Sequence, residues 1–157
     1  MDMKQNKLYV LVGVPGSGKS TWVKEQDWAK DCAHISTDQY VEEWAASVGK
    51  TYSEVFEEYM PIAVSRMAGA VNDAKSIGKD IIWDQTSTTV ASRKRKFNML
   101  PNYYAIAVVF ETPSRIELRR RLDSRPGKEI PWVIIEGMLA SFEMPTEEEG
   151  FKEIWRV

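Results

Sequence analysis

Short apolar runs of strand length alternate with helix-length stretches, and a glycine-rich turn closes the first run. Together they predict an α/β fold with an open, mainly parallel sheet. The 157 residues suit one domain spanning 1–157, large enough to bury a core without disulfides or structural metal. One Cys and one His exclude an intramolecular disulfide and a zinc site built from several such ligands.

Lys7-Leu8-Tyr9-Val10-Leu11-Val12-Gly13 is almost wholly apolar, as expected of a strand covered on both faces. Good helix formers from 20 to about 30 predict the first helix. Ala33-His34-Ile35 reads as a brief second strand ending at Ser36-Thr37-Asp38, which puts Asp38 at a strand's carboxyl end. Thr51-Tyr52-Ser53-Glu54 has capping-box spacing and opens a helix to about 77 that Pro61 should kink or divide. Asp80-Ile81-Ile82-Trp83-Asp84 and Ala105-Ile106-Ala107-Val108-Val109-Phe110 are the third and fourth strands. Thr112-Pro113 fits an N-cap with proline at the first helical position, opening a helix to about 124 that Arg125-Pro126-Gly127-Lys128 breaks. A helix from about 131 to 143 and a strand over 152–157 complete the chain.

No apolar run approaches the ~20 residues of a membrane span. The polar start Met1-Asp2-Met3-Lys4-Gln5-Asn6 is no signal peptide, so the expected location is cytoplasmic, with no membrane contact and no obligate protein partner evident. A net charge of −2 and a pI near 5.6 oppose a generally basic nucleic-acid coat protein. The average hides segregation: residues 93–128 hold ten of the 21 Lys+Arg but three of the 23 Asp+Glu.

Gly13-Val14-Pro15-Gly16-Ser17-Gly18-Lys19-Ser20 matches G-x-x-x-x-G-K-[ST] between a predicted strand and a predicted helix, the context a phosphate-binding P-loop requires. The expected architecture is therefore a three-layer P-loop NTPase fold with a small helical lid over about 119–131. Gly13, Pro15, Gly16, Ser17, Gly18, Lys19, Ser20 and Thr21 are the expected nucleotide-binding residues. Backbone N–H groups of such a loop and the positive end of the following helix attract phosphate. Lys19 would reach the β- and γ-phosphates, and Ser20 Oγ would ligate Mg²⁺.

Two carboxylates close strands beside this loop, where α/β sheets bind ligands. Asp84 suits support of Mg²⁺ through water, and Asp38 suits a base that accepts the proton of an acceptor hydroxyl. Each could instead be a helix cap or turn former. Arg115, Arg119, Arg120, Arg121, Arg125 and Lys128 crowd the helix after the fourth strand and its outgoing loop. Arg121 and Arg125, four apart, share a side if the helix persists that far, as a lid closing on ATP requires; a solvated face is the plainer reading of the others.

These residues together resemble the kinase domain of the phage-type polynucleotide 5′-hydroxyl kinase family. The resemblance runs through Gly13 to Trp22, Ile35-Ser36-Thr37-Asp38-Gln39-Tyr40, Ile82-Trp83-Asp84-Gln85-Thr86, and Arg121 through Arg125 to Ile130-Pro131. It implies that Lys19 and Ser20 bind phosphates and Mg²⁺, Asp38 is the general base, Asp84 is the essential aspartate after the middle strand, and Arg125 is the lid arginine. It further implies transfer of the γ-phosphoryl group of ATP to a hydroxyl on nucleic acid, DNA ahead of RNA.

The family has an arginine contacting acceptor phosphate three residues after its catalytic aspartate, where this sequence has Val41. Many members also carry a phosphatase domain; the expectation here is a kinase domain alone. Three alternatives stand beside this reading. They are a kinase of the same lineage acting on a hydroxymethyl group of a modified base in phage DNA, a small-molecule or nucleoside kinase, and a nucleotide-dependent binding module without transfer.

Arg93-Lys94-Arg95-Lys96 lies close enough to the strand ends to touch a phosphate backbone, or is a solvated helix face. Trp22, Trp28 or Trp44 could stack on a base, with core packing the default. His34 and Cys32 read as structural, and Glu147-Glu148-Glu149 as an exposed acidic turn.

Overall fold

In the computed structural model, which describes residues 5–157, five parallel strands form one sheet among the described residues. Residues 1–4 of the polar start lie outside them. The strands are β1 (Lys7–Val12), β2 (Ala33–Ile35), β3 (Ile81–Trp83), β4 (Tyr104–Val109) and β5 (Glu153–Arg156), in the order β2-β3-β1-β4-β5. The helices are α1 (Lys19–Glu25), α2 (Thr37–Ser47), α3 (Tyr52–Ser76), α4 (Val90–Met99), α5 (Arg115–Asp123) and α6 (Trp132–Ser141), with 3-10 turns at Asp27–Asp31 and Glu147–Glu149.

Because side chains alternate along a strand, β1 sends Leu8, Val10 and Val12 to one face and Tyr9 and Leu11 to the other, and both faces are buried. Val71 and Ala74 of α3, with Phe97 and Leu100 at the end of α4, cover the first. Val23 of α1, Ala29 and a cluster of Trp22, Trp28 and Trp155 cover the second. This is the expected three-layer α/β fold. No helix among the described residues is long and apolar enough to cross a membrane.

Several boundaries differ from the expected ones. The first helix stops at Glu25 rather than running to about 30, because Gln26 turns extended and lets Trp28 pack on Tyr9, ring centroids 4.5 Å apart. Pro61 does not divide α3, which runs unbroken from Tyr52 to Ser76. Pro61 sits on the exposed side of α3, while Val55, Tyr59 and Ala63 are buried toward α2. Ser114, not Thr112, caps α5, its Oγ accepting from Glu117 N–H at 3.2 Å. That helix ends at Asp123, so Arg125 lies in the α5–α6 loop and does not share a helical side with Arg121.

Two charged stretches also depart from expectation. Arg93 is wholly buried and Lys96 nearly so. Arg93 is bidentate to Glu149, with Nε–Oε1 2.8 Å and Nη2–Oε2 3.1 Å, so the acidic turn is bound to α4 rather than simply exposed. Lys96 lies 5.3 Å from the Trp83 ring centroid and donates to Ser92 O. Burial, with Arg95 and Arg93 nearby, pushes its ammonium down to about 8.

Candidate active site

The site is built where β1, β2 and β3 end. The turn after β1 needs glycine at Gly16, whose φ is 86°, and a Cβ there would stand 3.0 Å from Leu118 Cδ1. The loop is fastened to the neighbouring strand end by Gly13 N–H donating to Thr86 O at 2.9 Å. Val14 packs with Leu118, Leu122 and Ile135, which seats the α5–α6 hairpin on the loop. Lys19 curls back so that Nζ donates to Gly13 O at 2.9 Å and Val14 O at 3.0 Å. Burial pushes its ammonium down to about 8; Arg125 and Lys128 act in the same direction, against the opposing pull of Asp84 and Asp38.

Asp84 follows β3 and is buried, its N–H donating to Ile35 O at 2.7 Å. Its Oδ2 accepts from Ser20 Oγ at 3.4 Å and lies 2.9 Å from His34 Nε2. The expected pair of Ser20 and Asp84 is thus brought together, and His34, read as structural, is a direct partner of the carboxylate. Its place on β2 pointed to a sheet position, and nothing in its neighbours identified Asp84 across the sheet.

Asp38 stands in the first turn of α2, two residues past the N-cap position Ser36, rather than at the end of β2 or as the cap itself. A carboxylate there is favoured by the helix dipole. Its Oδ1 accepts from the Tyr52 hydroxyl at 2.6 Å and its Oδ2 from Lys128 Nζ at 3.1 Å. Burial, then the bond to Asp38, holds the Tyr52 hydroxyl above its ordinary pKa. Gln85 Nε2 donates to Thr37 Oγ1 at 3.3 Å while its Oε1 accepts from Trp83 Nε1 at 3.0 Å, tying the Asp84 segment to the helix that bears Asp38. Tyr52 and Gln85 were not singled out from sequence, because neither a capping-box tyrosine nor a strand-end glutamine differs from hundreds of structural ones.

The expected cations divide. Arg121 Nη1 donates to Gly16 O at 3.0 Å, which puts it on the P-loop. Arg125 lines a cleft of about 720 Å³ with Thr21 and Ser17, and also one of about 1690 Å³ with Lys19, Ser20, Asp38 and Asp84. Arg120 is paired with Glu117, Arg115 with Glu136, and Arg119 stacks on Trp132, so these three serve the helical surface. Pro15 and Gly18 line the larger cleft with Lys19. Val41 is wholly buried in the α2–α3 seam and does not reach the cleft. Trp22 and Trp28 belong to the core; Trp44 is 42% exposed and stacks on Tyr59, centroids 5.2 Å apart.

Comparison with known proteins bears on the family and the fold. The chain is 25% identical over 159 residues to the bifunctional polynucleotide phosphatase/kinase of Schizosaccharomyces pombe, covering 98% of this chain and 34% of that protein. A putative bifunctional polynucleotide phosphatase/kinase of Acanthamoeba polyphaga mimivirus is also 25% identical, over 96% of this chain and 33% of its own. The chain therefore spans about a third of the length of the curated relatives it matches. Among solved structures, a putative kinase from Chloroflexus aurantiacus superposes with a TM-score of 0.72 at 17% identity, over 99% of this chain and 86% of the other. A chain of the Pnkp1/Rnl/Hen1 RNA repair complex gives 0.65 at 23%, over 89% and 45%. A gluconokinase from Sinorhizobium meliloti gives 0.55 at 18%, over 99% and 83%. The family model that matches residues 8–145 is AAA_33, the AAA domain, and the chain, a P-loop protein with a kinase-like fold, belongs to that family.

Proposed function

We propose that this chain is an ATP-dependent kinase that transfers the γ-phosphoryl group to a hydroxyl on nucleic acid, DNA ahead of RNA. The observation that carries the reading is the division of labour between two carboxylates beside one P-loop. Asp84 is buried against Ser20 and His34, as a metal-supporting group is, and Asp38 is half-exposed in the open cleft, as a base for an incoming alcohol is. The 25% identity to named polynucleotide phosphatase/kinases supports a nucleic-acid acceptor.

The residues fit Mg·ATP. Ser17 Oγ is buried in the P-loop without a hydrogen-bond partner, a position a phosphate oxygen could satisfy. Ser20 and Asp84 offer the oxygen donors a hard cation takes, directly or through water. Mg²⁺ supplies neutralisation of phosphate charge when bound. Lys19 releases its two loop carbonyls for the phosphates, and Arg121 and Arg125 hold the triphosphate from the lid, the α5–α6 segment over about 119–131. Asp38 accepts the proton of the acceptor hydroxyl, that oxygen bonds the γ-phosphorus, and the bond to the bridging oxygen breaks with its electron pair leaving on ADP.

Labelled ATP offered with 5′-hydroxyl oligonucleotides, duplex DNA bearing hydroxymethylated bases, free nucleosides and gluconate tests the assignment. Label on a nucleic acid supports it, and label confined to nucleosides or gluconate overturns it. Asp38→Ala should lower transfer about 10²- to 10⁴-fold while ATP binding, followed by fluorescence, stays within a few-fold of wild type. Near-normal turnover would remove Asp38 as the base.

A further inference from the structure

Beyond the phosphate-binding side, the same cleft holds a charge arrangement that the proposed transfer does not use. Lys128 lies against Asp38 and Glu42. Its side chain is only 14% exposed, and its ammonium contacts Asp38 Oδ2 at 3.1 Å, Glu42 Oε1 at 3.4 Å and the Tyr52 ring at 4.4 Å. The backbone that carries it is anchored. Ser53 N–H donates to Gly127 O at 3.1 Å, and Glu129 N–H donates to Ser53 Oγ at 2.8 Å. At Gly127, whose φ is 69°, a Cβ would meet Thr51 Cβ at 2.9 Å. The backbone of 127–129 is therefore docked on the start of α3, and the four-carbon stem of Lys128 is the part free to swing.

Both oxygens of Asp38 already accept a donor, Tyr52 on Oδ1 and Lys128 on Oδ2. A hydroxyl that gives its proton to Asp38 must take a place beside one of them, and on Oδ2 that neighbour is Lys128, whose flexible stem can carry the ammonium aside. The α2 residues lining the cleft, Thr37, Asp38, Gln39, Glu42, Ala45 and Ala46, include no cation. Lys19, Lys24, Lys50 and Arg125 also line the cleft, but the cation in contact with Asp38 is Lys128, so an anionic group next to the acceptor hydroxyl would find Lys128 at the base.

We infer that Lys128 is a specificity-determining residue that reads a phosphate next to the acceptor hydroxyl, leaving Asp38 for that phosphate as the acceptor binds. The inference rests on the nucleic-acid reading above. An acceptor with a phosphodiester gives the ammonium a second charged partner, so moving it costs little. An uncharged alcohol offers none, and Lys128 stays on the base.

The test uses two 5′-hydroxyl dinucleotides that differ at one atom group, one with a phosphodiester and one with a neutral methylphosphonate in its place. Wild type should favour the charged dinucleotide in kcat/KM by about 10- to 100-fold, the range a hydrogen bond between charged groups supplies. Lys128→Gln should shrink that ratio to within about threefold, and Lys128→Arg, which keeps the charge, should retain most of it. A ratio kept by Lys128→Gln, or no charge preference in wild type, overturns the inference and leaves the nucleic-acid reading standing. No label on either dinucleotide overturns the inference, and the nucleic-acid reading is then decided by the oligonucleotide and duplex panel above.

Discussion

Two basic regions carry the local excess of positive charge, and the fold gives them opposite uses. On α4, Arg93 and Lys96 point inward: the first clamps Glu149 and donates to Ser87 O at 2.9 Å, and the second lies against Trp83. From the last turn of α5 into the loop that follows, Arg121 contacts the P-loop, Arg125 lines the cleft and Lys128 contacts Asp38. The same residue types at similar density become a structural bracket in one place and a cleft-facing set in the other. A run of basic residues therefore reports charge, while burial and the carboxylate across the fold decide what the charge does.

Substitutions can break or sharpen that contrast. Arg125→Ala should show the largest effect, a fall in kcat on the order of 10³-fold, the size expected of an arginine that neutralises transition-state charge, with the denaturation midpoint unmoved. A matching loss of stability would make the loop cation structural and erase the difference between the regions. Arg93→Ala should do the reverse. It leaves Glu149 buried without its partner, which costs about 3–5 kcal/mol in urea unfolding. If that variant keeps wild-type stability but loses turnover, α4 belongs to the active site.

Lys96→Met should give the smallest and most diagnostic change. Burial pushes its folded ammonium down to about 8 from the ordinary 10.5, so the unfolded chain binds more protons between those values and wild-type stability gains from this group as pH rises from 8 to 10.5. Methionine carries no such penalty. The variant should therefore exceed wild type most at pH 7, and the gap should narrow by roughly 1–3 kcal/mol by pH 10.5. A gap independent of pH would show that Lys96 is not penalised by burial.

Contiguous features were readable directly. The P-loop, the alternation of strands with helices, and the two carboxylates near strand ends occupy short stretches whose residue types are set by local geometry. Local reasoning failed at particular residues for identifiable causes. Pro61 was expected to kink or divide its helix because it lacks an N–H, yet it lies on the exposed side and the helix is not divided there. Arg125 was grouped with Arg121 by helical spacing, and the helix ended two residues too soon. His34 was judged from its own strand, while its partner Asp84 lies 50 residues on.

By itself the sequence determined the P-loop motif and the α/β architecture and put forward Asp38, Asp84, Lys19 and Ser20 as candidate site residues, because glycine conformation, strand periodicity and the lysine-serine step act over a few residues. Only the tertiary structure decided which cations face the cleft. The pairs that settle it, Arg93 with Glu149 and Lys128 with Asp38, are 56 and 90 residues apart. Charge in a sequence is summed along the chain, but its energy depends on distance and burial, which folding alone sets.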